Sequence, residues 1–339
     1  MKFFTRSISA IVIFMTVMGA AACSSDHGRH DDVRIRYQSY PFYKDFAAVD
    51  TQHVGRSLER LKARYPQFLD FYLDTVLSLN TGGRYTDTNK VLNSLLTYKD
   101  YRHLFDTVQQ VFPNTEAQDA AIKAAFKNMK YYDPVFKIPS KVYYFISYLH
   151  LSAFTTSDTV LGIGLDMFLG RDFSPYGSVG IPGYATIRFT KENIPVWACQ
   201  VVYENRFPFD PEGKDLLALM IEKGKEIYFL KKCLPDVPEK LLLGFTDDQM
   251  AWCRKNEVAI YNFFIQQKLF YQTRLQEIMR YVMDGPNTPG FPPEAPGNLG
   301  TYIGWKIVES YAANHGGSLE EVLQSKNPQQ VLQEAAYKP

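Results

Sequence analysis

Residues 141–169 read KVYYFISYLHLSAFTTSDTVLGIGLDMFL, and this stretch decides the fold class. Residues 141–151 and 160–169 are rich in aromatic and branched side chains, and a polar stretch over residues 155–159 separates them. Such short runs favour β-strands. We therefore predict two neighbouring strands of a small central sheet.

Helical patterns flank this stretch on both sides. Over residues 46–131 apolar side chains recur at spacings of three and four, with a break at Gly82 and Gly83. After a glycine- and proline-containing loop over residues 172–183, the helical pattern resumes. The later predicted helices span residues 193–204, 215–232, 247–283 (one helix or two), 300–313 and 318–336. The predicted fold class is α+β, predominantly α-helical with a small central β-sheet.

The start of the chain has the order of a secretory signal. Lys2 and Arg6 precede an uncharged apolar run over residues 8–18, and small residues follow as far as Cys23. A membrane-spanning helix needs about 20 apolar residues, which is more than this run supplies. We predict that residues 1–22 are a signal peptide and that Cys23 becomes the first residue after cleavage.

Cys23 is also the predicted lipid attachment site. A cysteine directly after small residues at the cleavage boundary is similar to a bacterial lipobox, although Ala20 stands where that motif usually has leucine. The alternative is a soluble periplasmic protein in which this cysteine is incidental. Residues 23–36 are expected to form a flexible tether, because the segment after Cys23 is polar and free of aromatic residues. Residues 37–339 are expected to form a single domain.

Composition and charge exclude some classes of protein. The formal charge of the whole chain is +1, and a nearly neutral chain gives no basis for binding nucleic acid. Hydrophobic residues make up 46% of the chain, which is enough to build a large core. Cys199, Cys233 and Cys253 match no zinc motif in their spacing, and we predict buried thiols with at most one disulfide among them.

The order of elements resembles that of zinc peptidases of the gluzincin type. In those enzymes a helix carrying HExxH follows the sheet, and a second helix supplies a glutamate as the third zinc ligand. The corresponding segments here are VWACQVVYE (residues 196–204) and IEKGKEI (residues 221–227). No histidine lies between Ala153 and Asn314, so a catalytic zinc would lack its usual ligands.

A substitute ligand set could be drawn from Cys199, Glu204 and Glu222. Core packing is the commoner role for a cysteine such as Cys199, and solvent exposure is commoner for a glutamate such as Glu204. We therefore assign no catalytic residue, no metal ligand and no cofactor. Gly162 and Gly164 indicate close strand packing and not a dinucleotide-binding loop. His150 is predicted to be a hydrogen-bonded structural residue at a strand end and not a catalytic base.

Six segments carry a resemblance to a known family, over residues 40–50, 65–77, 162–176, 181–184, 222–238 and 297–311. Together they resemble the GldB gliding-motility lipoproteins of Bacteroidetes, over most of the region after Cys23. That family is similar to predicted gluzincin-like zinc peptidases, so the resemblance implies a zincin-like fold. Those peptidases carry a sequence like EGLA after the HExxH helix, and here residues 222–225 read EKGK. The segments that carry the resemblance are YPFYKDFAAVD (residues 40–50), YPQFLDFYLDTVL (65–77), GIGLDMFLGRDFSPY (162–176), IPGY (181–184), EKGKEIYFLKKCLPDVP (222–238) and GNLGTYIGWKIVESY (297–311).

The resemblance implies an envelope lipoprotein associated with gliding, which in that phylum is linked to type IX protein secretion. Its partners would be the membrane, through the lipid on Cys23, and envelope proteins of the gliding or secretion machinery. We expect a lipid-anchored protein of the cell envelope, on the periplasmic or surface face of the outer membrane or on the inner membrane.

Three kinds of function stay open at this point. The first is a non-catalytic component that binds partners, and the second is an exported hydrolase with unusual ligands. The third is a peptide- or glycan-binding lipoprotein with an aromatic groove. The residues expected to line that groove are Tyr143, Tyr144, Phe173, Tyr176 and Tyr184.

Overall fold

The computed structural model describes residues 32–79, 88–156 and 158–339. Residues 33–339 form one compact unit. No helix in the described part is both long and apolar enough to cross a membrane. Cys23, the predicted signal peptide and the predicted break at Gly82 and Gly83 lie outside the described residues.

The sheet has four described strands in the order β1-β2-β4-β3. They are β1 (Gln38–Tyr40), β2 (Lys141–Phe145), β3 (Ala153–Thr156) and β4 (Val160–Gly164). β2 pairs in parallel with both β1 and β4, and β3 pairs antiparallel to β4. The prediction that the two aromatic and branched segments form neighbouring strands is therefore confirmed, with Tyr143 of β2 opposite Gly162 of β4.

The predicted strand bounds were wrong, because both strands end early. β2 stops at Phe145, and Tyr148 and Leu149 then adopt left-handed backbone with φ of 66° and 63°. β4 stops at Gly164 and continues as a 3-10 turn over Leu165–Phe168. Part of the polar stretch between them is itself strand, in β3. His150 accordingly lies in a loop beyond β2 and is exposed, so the prediction that it stands at a strand end is wrong.

The glycines of β4 do pack against neighbouring chain, as predicted. A Cβ atom at Gly162 would overlap the ring of Phe154 on β3, and one at Gly164 would overlap the carbonyl oxygen of Leu151. Only glycine allows β3 and the preceding loop to lie this close to β4.

Helices on both sides of the sheet segments give the chain its predominantly helical, α+β character. Before β2 they are α1 (Phe42–Ala47), α2 (Val54–Arg64), α3 (Phe68–Phe71, continued as a π-helix over Tyr72–Val76), α4 (Thr88–Thr97), α5 (Lys99–Val111) and α6 (Glu116–Tyr132). After β4 come α7 (Pro175–Ser178), two 3-10 turns (Ala185–Arg188 and Lys191–Asn193), α8 (Ile194–Arg206), α9 (Leu216–Cys233) and α10 (Glu239–Leu243). The last part holds α11 (Asp247–Gln266), a 3-10 turn (Leu269–Tyr271), α12 (Leu275–Val282), α13 (Leu299–His315), α14 (Leu319–Gln324) and α15 (Pro328–Ala335).

The later helices lie where the sequence patterns predict them, but some predicted helices are divided into two in the structure. The predicted helices over residues 193–204, 215–232 and 300–313 correspond to α8, α9 and α13. The segment 318–336 forms two helices, because Asn327 accepts hydrogen bonds from the amides of Gln329 and Gln330 and so starts a new helix at Pro328.

Helices α9 and α13 pack backbone against backbone through small residues. A Cβ atom at Gly224 of α9 would overlap the carbonyl group of Gly304 on α13, and a Cβ atom at Gly304 would overlap the carbonyl group of Met220. This close crossing fixes α9, which also forms one wall of the candidate site.

Candidate functional site

A cleft of about 400 Å³ opens between α8 and α9. The two segments that correspond to the zinc-binding helices of gluzincins lie on these two helices. Its walls are mostly apolar, and four ionisable side chains of opposite signs also line it, namely Glu204, Glu222, Lys223 and Glu226. The cleft therefore combines an apolar surface with three carboxylates and one ammonium group.

Four parts of the chain build this cleft. Glu204 lies in the last turn of α8, and Phe207 and Phe209 come from the connection to α9. The side chain of Asp215 accepts a hydrogen bond from the amide of Ala218 (2.9 Å) and so caps the start of α9. Along α9, spacings of three and four place Leu219, Glu222, Lys223 and Glu226 on one face. Met279 and Val282 of α12 complete the lining.

Two of the three carboxylates are held in ion pairs. Lys223 Nζ donates a hydrogen bond to Glu226 Oε2 at 2.7 Å, and Lys225 Nζ donates one to Glu222 Oε1 at 2.6 Å. Lys225 is only 2% exposed and also donates to the carbonyl oxygen of Ser325. Residues 222–226 (EKGKE) thus form two charge pairs that each span Gly224, which is itself needed for the helix crossing.

Glu204 forms no ion pair of this kind with the residues that the structure describes. Its side chain accepts only a weak hydrogen bond from Gln200 Nε2, at 3.5 Å, which is longer than the normal range. The side chain is exposed overall, but its contact with the cleft wall partly desolvates the carboxyl and, with the nearby charge of Glu226, raises its pKa. Lys223 partly offsets both effects. For Lys223, burial alone would lower the pKa of the ammonium group, but Glu226 outweighs this effect and raises it.

The residues of the cleft do not fit a catalytic zinc ion. Cys199 is fully buried in the core and does not line the cleft, and burial raises the pKa of its thiol. Glu222 does line the cleft, but its carboxylate is bound to Lys225. The described residues contain no group of three or more histidine, cysteine, aspartate or glutamate side chains that could hold a metal ion.

The predictions for the individual residues of the substitute set agree with this geometry. Cys199 fills the core and Glu204 is exposed, as expected for each. Cys199, Cys233 and Cys253 are all buried free thiols, so the prediction of buried thiols is confirmed and no disulfide joins them. The sequence reasoning missed the contributions of Lys223 and Glu226 to the cleft. The shared helix face of residues 219, 222, 223 and 226 is a signal that could have identified them.

The prediction of an aromatic groove is wrong for three of its five residues, because their side chains are buried. Tyr143 and Tyr144 lie in β2 and are buried, and Tyr176 is buried as well. The ring of Tyr143 stacks on that of Phe68 at 4.0 Å, and Tyr144 Oη donates a hydrogen bond to Asp119 at 2.9 Å. These tyrosines build the core on both faces of β2.

The other two residues of that groove do not form a surface with them. Tyr176 Oη donates a hydrogen bond to the carbonyl oxygen of Asp166 at 2.9 Å, and the ring of Phe173 packs edge-on against Tyr176 at 5.2 Å. Tyr184 is exposed and lies beside Gly244 and Asn298 at a small depression on the surface. Aromatic content alone could not distinguish these environments.

The family model described as gliding motility protein GldB matches residues 24–339. No curated protein and no solved structure matches the chain.

Proposed function

The chain belongs to the family of the gliding motility protein GldB, and on that premise we propose that it acts in the cell envelope as a lipid-anchored, non-catalytic component that binds partners. The machinery served would be that of gliding or of the protein secretion linked to it.

Cys23 is the proposed point of attachment to the membrane. The family match starts at residue 24, directly after this cysteine, so the matched region coincides with what would follow the lipidated residue. A lipid anchor gains about 0.8 kcal/mol of membrane affinity for each buried CH₂ group, which is enough for durable attachment when several acyl chains are present.

The pairing of the carboxylates in the α8–α9 cleft carries the non-catalytic part of the proposal. A general base needs a carboxylate that can reach and accept a substrate proton. Glu222 and Glu226 each accept a hydrogen bond from a lysine ammonium group within 2.7 Å, so each carboxylate is already engaged by a cation. These pairs stabilise α9 and shape the surface of the cleft.

The same cleft is suited to binding a partner segment. Phe209 is 39% exposed at its edge, and Phe207, Met279 and Leu219 add further apolar surface. Lys223 and Lys225 neutralise two of the three carboxylates, so Glu204 leaves one excess negative charge on the wall. The matching partner is a protein segment with apolar side chains and an adjacent lysine or arginine, because complementary charge favours encounter and orientation.

One observation favours a second candidate, an exported hydrolase. The pKa of Glu204 is raised within a cleft, and perturbed carboxyls of this kind occur at catalytic sites as well as at structural ones. In that case Glu204 itself would be the general base.

Two substitutions at Glu204 separate these candidates. Glu204→Gln keeps the shape of the side chain and removes its basicity, whereas Glu204→Arg reverses the charge in the cleft. In a gliding host that lacks its own copy of the gene, we expect the Gln variant to restore colony spreading to at least half of the wild-type extent. The Arg variant should restore little of it.

Glu212→Arg is the matched control, because Glu212 is an exposed glutamate in the same α8–α9 connection and does not line the cleft. All variants are compared at equal protein abundance. Loss of spreading with Glu204→Gln would favour the hydrolase. Full spreading with Glu204→Arg would show that partners do not use this cleft.

A further inference from the structure

A second cavity, of about 410 Å³, lies beyond the carboxyl end of β2 and apart from the α8–α9 cleft. Val76 and Leu77 at the end of the π-helix form one side of it. The end of α4 and the start of α5 form another, with Ser94, Leu95, Tyr98 and Tyr101. The loop after β2 closes it with Ser147, Tyr148 and His150.

Aromatic rings dominate this cavity and remain open to solvent. The ring of Tyr148 stacks on that of Tyr101, with centroids 4.9 Å apart and planes inclined by 18°. Tyr148 is nevertheless 43% exposed, and Tyr98 is 56% exposed. Large aromatic side chains usually bury most of their surface, so two exposed rings beside one cavity form a surface available for stacking.

The backbone that presents Tyr148 is strained and is held in place from below. Tyr148 and Leu149 both have left-handed φ, which is costly for residues with a side chain. Asp166, which is fully buried, accepts hydrogen bonds from the amides of Ser147 (2.8 Å) and Leu149 (2.6 Å) on both sides of Tyr148. The protein thus maintains an unfavourable conformation that keeps this ring at the surface.

The polar groups that line the cavity are hydroxyl groups and one imidazole. They are the hydroxyl groups of Ser94, Ser147 and the tyrosines, and the imidazole of His150. The Tyr101 hydroxyl is buried and interacts with the hydroxyl of Tyr72. No aspartate, glutamate, lysine or arginine is among the described residues that line the cavity.

We propose that this cavity, defined by Tyr98, Tyr101, Tyr148 and His150, binds a neutral carbohydrate. The apolar C–H face of a pyranose ring packs on an aromatic ring, and its hydroxyl groups exchange hydrogen bonds with neutral donors and acceptors. An anionic ligand would require a cationic side chain in the lining, and a cationic ligand a carboxylate. The cavity volume of about 410 Å³ lies within the range typical of small-ligand sites and is enough for one or two sugar rings.

The test uses the full-length protein in a zwitterionic detergent without a sugar headgroup. Maltotetraose, cellotetraose and chitotetraose serve as neutral probes in isothermal titration calorimetry. We expect at least one of them to bind, and we expect Tyr98→Ala and Tyr148→Gly each to weaken that binding tenfold or more. Glycine at position 148 adopts the left-handed backbone without strain, which offsets part of the lost stacking on Tyr101, so this variant should remain folded.

Tyr271→Ala is the control, because Tyr271 is an exposed tyrosine that does not line the cavity. It should bind the probe as the wild type does. Binding of none of the three oligosaccharides would overturn the proposal. So would binding that Tyr98→Ala and Tyr148→Gly leave unchanged, or a site that takes up only peptides from a protein digest.

Discussion

At the scale of single residues, Gly224 and Gly304 have the most exacting role, because they let α9 and α13 touch. Each Cβ atom would overlap backbone atoms of the opposite helix, which cannot move aside as a flexible side chain can. We predict that Gly224→Ala and Gly304→Ala each lower the free energy of unfolding by roughly 1–3 kcal/mol, the usual cost of overpacking.

Urea denaturation at equilibrium measures this effect, with Gly177→Ala as the control. A Cβ atom at Gly177 meets no other atom within 4 Å, and its backbone is not left-handed. Equal stability of the Gly304→Ala and Gly177→Ala proteins would contradict the close packing of these helices.

The sequence predicted the environment of some residues and not of others. Cys199 was expected in the core on the general behaviour of cysteine, and it lies there. Tyr143 and Tyr176 were expected at a groove and are buried instead. An aromatic side chain suits both environments, and only the packing of α3, α7 and the sheet decides between them.

At the scale of elements, the existence of β2 and β4 follows from their composition, whereas their ends depend on local backbone. The left-handed residues after Phe145 and the 3-10 turn after Gly164 end the strands within continuous apolar sequence. β1 is a three-residue edge strand and has too little pattern to be recognised without its partner β2.

An ion-pair network joins three helices at Glu239. Its carboxylate, at the start of α10, accepts hydrogen bonds from Lys231 of α9 at 2.7 Å and from Arg254 of α11 at 3.0 Å. Burial alone would raise the pKa of Glu239, but the hydrogen bonds from these two cations outweigh it and lower the pKa below its ordinary value.

This shift predicts a pH-dependent contribution of Glu239 to stability. A carboxyl with a lower pKa in the folded state stabilises the fold above its unfolded pKa of about 4.5, and the contribution is lost as the pH falls through the folded pKa. We therefore expect Glu239→Gln to destabilise the protein more at pH 7 than at pH 3 in guanidinium chloride denaturation. Glu294→Gln, at an exposed glutamate, is the control, and an equal effect of Glu239→Gln at both pH values would contradict the network.

At the scale of the whole molecule, the α+β class and the helical majority were predictable, because the periodic patterns extend over many residues. The α8–α9 cleft was only partly so. The sequence identified its two main helices, as the segments that correspond to the zinc-binding helices of gluzincins. Met279 and Val282, however, come from α12, far along the chain. No local pattern shows which distant helix closes a cleft.

The proposed anchor predicts where the protein is found in the cell. Cys23→Ala removes the thiol that would carry the lipid and leaves the rest of the signal in place. We expect this variant in the soluble periplasmic fraction after cell fractionation and immunoblotting, while the wild type stays with the membranes. Membrane association that survives the substitution would contradict lipidation at Cys23.

The most direct test of the central claim, an envelope component that acts where it is anchored, is rescue of colony spreading in a gliding host from which the corresponding gene has been deleted. The comparison is between the complete chain and a version that lacks residues 1–22 and stays in the cytoplasm, at equal abundance. The account predicts that the complete chain restores spreading and that the cytoplasmic version does not. Full rescue by the cytoplasmic version would contradict it.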